Sequence, residues 1–268
     1  MQPALPIGAL SRMDLDNLIE RYEYKYLLPE ALVPRVRDSA LMMCSIDKYA
    51  GPDGTYRIRS LYCDTPTFDL YKANEREQAD RFKMRIRVYP GKPSPVFFEV
   101  KRRVLDVIVK TRSGVPMALW RDVLAGRASA LEALSPKVRS GALQFASRYH
   151  RHHMQPVMLV EYEREPYASN YDEYARLTFD RNIIIQPQTE LDLEADPKRW
   201  RAVDHRAQTR TLEPVCVLEL KFERRPPMWM SQMVQRLGLV RYSFSKYCYG
   251  VMNELTLPEV RTSAFPVR

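Results

Sequence analysis

Residues 81–89 read RFKMRIRVY, an alternation that only an extended strand puts to use: Lys83, Arg85 and Arg87 take one face, and Phe82, Met84, Ile86 and Val88 the other. The same period of two recurs in residues 21–27 (RYEYKYL), 56–63 (YRIRSLYC), 96–102 (VFFEVKR), 107–112 (VIVKTR), 157–164 (VMLVEYER), 176–180 (RLTFD) and 215–222 (VCVLELKF). These are eight strands, with 183–185 a short ninth. Helices are predicted between them: over 29–43, over 66–77 after the cap signal Asp64-Thr65, and over 116–125, 129–149, 226–237 and 245–254. Hairpin-like strands with inserted helices make a mainly antiparallel α+β protein. It forms a single domain over residues 19–256, between a loose lead (1–18) and a frayed tail (257–268).

The polar faces are ionic. Glu23 pairs with Lys25 on one face, Glu99 with Lys101, Lys110 with Arg112, Tyr162 with Arg164, and Glu219 with Lys221, while Arg176, Thr178 and Asp180 share another. With Lys246, and leaving Asp180 aside, these faces hold eleven basic residues (Lys25, Lys83, Arg85, Arg87, Lys101, Lys110, Arg112, Arg164, Arg176, Lys221, Lys246) and three acidic ones (Glu23, Glu99, Glu219). They account for +8 of the chain's net +9, leaving 31 basic against 30 acidic residues elsewhere. A solvated sheet face would mix Thr, Ser, Gln, Glu and Lys. Like charges opposite one another across strands destabilise a sheet, so this face requires an anion.

Closing the sheet into a barrel would turn the charges into a tunnel and leave the apolar face outward under the helices. Eleven cations exceed what one carboxylate needs and suit a triphosphate or a longer polyphosphate. The few glutamates then fit a hard divalent ion, Mn²⁺ or Mg²⁺, shared with phosphate oxygens. Glu23 reads equally as a metal ligand or as the partner that orients Lys25, and Glu99 is similar. Asp180 is open to pairing with an arginine, and the direction of Arg57 and Arg59 stays open.

Other classes recede. No apolar run is long enough to span a bilayer, and the first residues lack the basic and apolar regions of a secretory signal. Cys44, Cys63, Cys216 and Cys248 form no CxxC pair and read as reduced core residues of a cytoplasmic protein. No glycine-rich phosphate loop is present. The cluster His150, His152, His153 reads as a solvated helix end, and the methionines of 228–233 as core filler. A nucleic-acid module is the non-enzymatic alternative, disfavoured because the basic residues alternate on strands instead of lining an open aromatic platform.

RYEYKY (21–26), SLYCDT (60–65), RFKMRIRVY (81–89), FFEVKRR (97–103), VEYEREPY (160–167), RLTFD (176–180), LELKF (218–222) and SFSKY (243–247) fall in the order seen in VTC domains, and residues 20–253 resemble that family. VTC domains are the catalytic domains of the vacuolar transporter chaperone complex and its bacterial relatives, among the triphosphate tunnel metalloenzymes with the CYTH-type triphosphatases. The resemblance implies an eight-stranded antiparallel β-barrel tunnel with surrounding helices. It implies a polyphosphate polymerase that takes ATP and inorganic polyphosphate as partners, with Mn²⁺ or Mg²⁺ as cofactor and no nucleic acid. A CYTH-type triphosphatase is the runner-up. Lys25, Arg85, Arg87, Lys101 and Lys246 are expected to be catalytic. Lys83, Lys110, Arg112, Tyr162, Arg164, Arg176, Lys221 and Ser245 are expected to bind phosphate, and Glu219, with Glu23 and Glu99, to face the metal. The Glu-x-Glu-x-Lys opening of the triphosphatases reads Arg21-x-Glu23-x-Lys25 here, which favours the VTC branch. The membrane segments of the eukaryotic proteins are absent from this sequence, so a membrane partner cannot be carried over.

Overall fold

The period-two segments all form strands of one antiparallel sheet. The computed structural model describes residues 21–105, 107–205 and 214–254; the expected lead 1–18 and tail 257–268 lie outside the described residues. The strands are β1 (Arg21–Pro29), β2 (Cys44–Ile46), β3 (Tyr56–Asp64), β4 (Asp80–Val88), β5 (Val96–Val104), β6 (Val107–Val115), β7 (Gln155–Ser169), β8 (Arg176–Pro187), β9 (Arg201–Ala202) and β10 (Val215–Glu223). Eight of them run in the order β1-β10-β8-β7-β3-β4-β5-β6, with β2 added on β7 and β9 on β8.

The expected barrel is not closed. The end strands β1 and β6 do not pair. Instead, Arg241 bridges to Tyr26, and the Tyr242 amide donates to the Lys25 carbonyl, so the chain around 241–242 takes up backbone groups on the free edge of β1. Across the seam, Lys101 of β5 reaches Glu23 of β1 at 2.9 Å.

The expected ninth strand is the end of β8. A bulge shifts the β7–β8 register between Glu161 and Glu163, and Asn182 opposite it takes a left-handed φ of 51°. An extra residue in one strand reverses which face the following side chains occupy. Asp180 and Ile185 therefore share the concave face, although one is at an even position and the other at an odd one.

Helices among the described residues cover the convex face, except the last of them. They are α1 (Val33–Leu41), α2 (Asp69–Glu75), α3 (Trp120–Leu124), α4 (Ala128–Glu132), α5 (Pro136–Arg151), α6 (Met228–Arg236) and α7 (Lys246–Glu254). The helix expected over 129–149 is thus split into α4 and α5, and proline opens α5 at a position where its missing N–H costs nothing. Ala142, Phe145, Ala146 and Tyr149 form one buried stripe of α5, with Phe145 stacked on Phe98 of β5 at 4.7 Å. Val33, Val36 and Ala40 of α1, with Met230 and Met233 of α6, cover Leu177, Phe179, Leu218 and Phe222. Each such buried side chain contributes about 1.5–3 kcal/mol. Met228 is exposed and takes no part in the expected filling. The cap signal before α2 is realised: Asp64, fully buried, accepts from the amides of Thr65, Leu70 and Tyr71 and from the Tyr247 hydroxyl.

α7 packs differently from the other helices. Tyr247 stacks on Tyr62 at 5.0 Å, and Gly250 lies against Ile185 and Met158, close enough that a Cβ there would come within 3.3 Å of Ile185. These partners belong to the concave face, so α7 covers the apolar end of the trough and leaves the charged part uncovered. All four cysteines are buried and free, and no helix is long and apolar enough to cross a membrane among the described residues.

Candidate functional site

Strand register places the charges. Lys25 lies opposite Glu219, Glu23 opposite Lys221, Arg85 opposite Glu99, and Glu99 opposite Arg112. Lys83, Lys101 and Lys110 form a row of three lysines directly opposite one another across β4, β5 and β6. Arg164 of β7 faces Asp180 of β8. With Lys246 from the start of α7, ten cations and four carboxylates line the trough, a formal excess of six positive charges. A lysine row of this kind is unfavourable without an anion to bridge it.

The charges fall into two groups. In the first, Glu99, only 1% exposed, is surrounded by Arg85 at 2.7 Å, Lys110 at 2.9 Å, Arg112 at 3.4 Å and Arg87 at 3.6 Å. Burial alone would raise the Glu99 pKa, but Arg85, Arg87 and Lys110 outweigh it and hold the carboxyl well below its usual range. Burial, reinforced by Arg87 and Arg85 and only partly opposed by Glu99, pushes Lys110 down to about 7. Arg85 also donates to the Tyr62 hydroxyl at 3.0 Å.

In the second group, Arg164 grips Asp180 through Nε (2.6 Å) and Nη2 (2.7 Å) and reaches Glu219 with Nη2 at 3.0 Å. The Lys246 Nζ lies 2.5 Å from Asp180 and 3.3 Å from Glu219. Lys221 (2.8 Å) and Lys25 (3.6 Å) complete the shell of Glu219, while Glu23 takes Lys101 at 2.9 Å and Lys25 at 3.2 Å. Burial acts to raise the pKa of Glu219, and Lys221, Lys246, Arg164 and Lys25 more than reverse it. Burial likewise acts to lower Lys246, and Asp180 and Glu219 reverse that. The Tyr162 ring lies 4.5 Å from the Lys246 ammonium and 5.4 Å from the Arg164 guanidinium, a cation–π contact with each.

Lys83 is distinct. Its ammonium donates to Ser245 Oγ at 2.8 Å, and burial, helped by Lys25 and Lys101, lowers its pKa. Ser245 also accepts the Cys248 amide and so caps α7. Among the described residues, four polar atoms of this face are buried without a hydrogen-bond partner: Glu99 Oε1, which has Lys110 beside it at 2.9 Å, and the three atoms Arg87 Nε, Ser60 Oγ and Thr178 Oγ1. The last three can donate, which suits an anion.

Of the sixteen residues singled out in the sequence, fifteen meet in this trough. Arg176 does not join them: its half-exposed side chain turns to Asp47 at 3.8 Å and lies over Tyr174, because its position at the first residue of β8 puts it at the rim. Asp180 does pair with an arginine, Arg164. Arg59 faces outward to Glu161 (2.6 Å) and the Leu193 carbonyl, and Arg57 leans to the same glutamate. Tyr62 and Ser60 escaped the sequence reading, although their parity with Ile58 on β3 puts them on one face; Thr178 was placed on the face of Asp180 but not counted as a site residue. His150 bonds the Leu124 carbonyl at 2.7 Å, at the end of α5.

A resident divalent ion is tested by the donors. Among the described residues no three His, Cys, Asp or Glu side chains are grouped so as to hold a metal. Glu23, Glu99 and Glu219 are each in contact with two or more cations instead. The residues do not fit a metal centre made by the protein alone.

The VTC domain model matches residues 20–254, nearly the whole chain. The chain belongs to the VTC domain family. No curated protein matches it. Among solved structures, it is similar to a candidate adenylate cyclase from Bacillus halodurans (12% identity, TM-score 0.49, covering 89% of this chain and 98% of that one). It is also similar to a candidate adenylate cyclase from Vibrio parahaemolyticus (9%, TM-score 0.42, 87% and 98%) and to a protein from Pyrococcus horikoshii OT3 (11%, TM-score 0.43, 87% and 98%). At these scores the three likenesses bear on neither the fold nor the chemistry of this VTC domain.

Proposed function

We propose that this VTC domain is a polyphosphate polymerase that transfers the γ-phosphoryl group of ATP to the end of a growing polyphosphate chain. The observation that carries the reading is the convergence of ten cations, from six strands and one helix, on one concave face. The lysine row Lys83–Lys101–Lys110 is spaced to run along a linear polyanion. Arg85, Arg87 and Lys101 hold non-bridging oxygens, and Lys25 and Lys246 hold the neighbouring phosphate. A terminal oxygen of the chain forms the new bond to the γ-phosphorus as the β–γ bridging bond breaks and ADP leaves. That oxygen is already anionic, so no general base is required; positioning and charge stabilisation do the chemistry. Lys83, Lys110, Arg112, Arg164, Lys221, Tyr162 and Ser245 extend the phosphate path. Mn²⁺ or Mg²⁺ is expected of the family.

The test is incubation with ATP and Mn²⁺, followed by gel separation of the products. A ladder of phosphate chains supports polymerisation, orthophosphate alone converts the reading to a triphosphatase, and tight single-stranded DNA binding without ATP turnover refutes both. Arg85→Ala removes a donor to the transferred group and is expected to lower turnover by about 10²-fold or more.

A further inference from the structure

Phe97 is out of place. Strand parity sets Val96, Phe98 and Val100 in the apolar core and leaves Phe97 on the charged face with Glu99 and Lys101, where its half-buried ring joins none of the core clusters. Opposite it on β6 stands Gly114, and a Cβ there would come within 3.2 Å of the ring, so the ring lies across the glycine. Two tyrosines continue the row. Tyr89 lies edge-on to Phe97 at 5.8 Å, and Tyr56 lies 5.8 Å from Tyr89, both also half-buried. The guanidinium of Arg112 is stacked over Phe97, 3.6 Å from the ring centre. It is fixed at its edge as well: Nη2 donates to the Tyr89 hydroxyl at 3.1 Å, and Nε stands 3.4 Å from Glu99. With one face on Phe97 and two nitrogens held, the 38% exposure of this side chain leaves the other face of the guanidinium open.

The row stands at the end of the trough away from α7. Lys83 meets Ser245 at the start of α7, and Tyr89 follows about 20 Å further along the direction of β4, with Arg85 and Arg87 on the same face between them. A nucleoside triphosphate whose phosphates lie on those arginines has its base either at α7 or at the row, and α7 already fills its end by packing on Tyr62, Met158 and Ile185. Aromatic rings and flat guanidinium planes are the surfaces on which bases stack. We propose that Phe97, Arg112, Tyr89 and Tyr56 form a nucleobase platform, with the base of the nucleoside triphosphate stacked on the open face of Arg112. This rests on the ATP-dependent reading of the trough and adds the part of the substrate that the other cations do not touch. Arg112 ends the phosphate path with its charge and begins the base site with its plane. None of the four is a carboxylate or an amide that would read a base edge, so the platform takes adenine and guanine alike.

The test separates base from phosphate. Isothermal titration of the full chain in EDTA compares ATP with inorganic tripolyphosphate, in wild type, Phe97→Leu and Arg112→Lys. Phe97→Leu is expected to weaken ATP binding about fivefold or more and to leave tripolyphosphate binding as in wild type. Arg112→Lys keeps the charge and loses the plane, so ATP is expected to lose more affinity than tripolyphosphate does. In either variant, equal losses for the two ligands, or no loss of ATP affinity, overturns the platform, as does a wild type that binds tripolyphosphate and not ATP. GTP is expected to bind wild type as ATP does, and a gap of about tenfold or more overturns the base-tolerant stacking. Tripolyphosphate binding itself reports that a variant is folded; should Phe97→Leu fail to fold, Arg112→Lys decides alone. A wild type that binds neither ligand overturns the polyphosphate reading itself.

Discussion

Glu99→Gln isolates the counter-ion that holds half of the trough together. The carboxylate is almost fully buried and faces four cations within 3.6 Å, of which Arg87 is buried and Arg85 mostly so. Removing one partner of a buried ionic cluster costs about 3–5 kcal/mol, because the charges left behind stay desolvated and repel. The Lys110 and Arg112 side chains are each close to 40% exposed, although the Lys110 ammonium itself reaches in to the buried Glu99 carboxylate, so solvent screens Arg112 and only part of Lys110. The lower end, about 3 kcal/mol, therefore applies. For a chain of this size that corresponds to a fall in melting temperature of about 6–12 °C. The fall should be reversed by a polyanion, since phosphate oxygens replace the missing carboxylate. Tripolyphosphate at a hundred times its Kd stabilises by about 2.7 kcal/mol by mass action alone, and the shift for Glu99→Gln should exceed that of wild type at equal concentration. Differential scanning fluorimetry with and without tripolyphosphate measures both. A variant as stable as wild type, or one that tripolyphosphate shifts no further than wild type, would refute the counter-ion argument.

Two further outcomes depend on pH. Lys110, pushed down to about 7, carries its charge below that pH and loses it above, so tripolyphosphate affinity should fall as pH rises through 7. In Lys110→Arg the charge persists and the fall should flatten, as isothermal titration at pH 6 and 8.5 would show. Outside the trough, Arg37 at 2.6 Å and Arg181 at 2.7 Å hold Glu165, which lies at about 2 instead of its usual 4.5. A depressed carboxylate contributes stability that is present above its unfolded pKa and is lost as pH falls from about 4.5 towards 2. The amount is about 3 kcal/mol. Urea melts across that window should show the loss in wild type, and Glu165→Gln should be destabilised at neutral pH and lose less than wild type as pH falls through the window, the other depressed carboxylates supplying the remainder.

The strands were legible because alternation over five or more residues has one structural meaning. Residues 81–89 and 215–222 became β4 and β10 with the faces their parity assigned. Three things were hidden, each for a physical reason. Residues 56–63 carry Arg57 and Arg59 on the convex side, where Glu161 neutralises them, so charge alone mislabelled neither face and settled neither. The bulge at Asn182 swaps the faces of β8 midway, which no fixed period can follow. The seam between β1 and β6 stays open because the chain around Arg241 occupies the edge of β1, a long-range contact that no local pattern encodes. Within the site, parity found the cations but not most of their partners: Arg176 has the right parity and sits at the rim, whereas Asp180, left out of the count and open to pairing with an arginine, anchors both Arg164 and Lys246.

The docking of α7 has a consequence for how the molecule matures. The helix seals the greasy end of the trough through Tyr247 and Gly250, and its first turn delivers Lys246 and the hydroxyl that receives Lys83. A nascent chain can therefore assemble every strand of the sheet and still lack part of the trough's charged lining. The last ionic groups arrive with the same packing that excludes water from Met158 and Ile185, so completing the charged face and completing the interior depend on one docked helix.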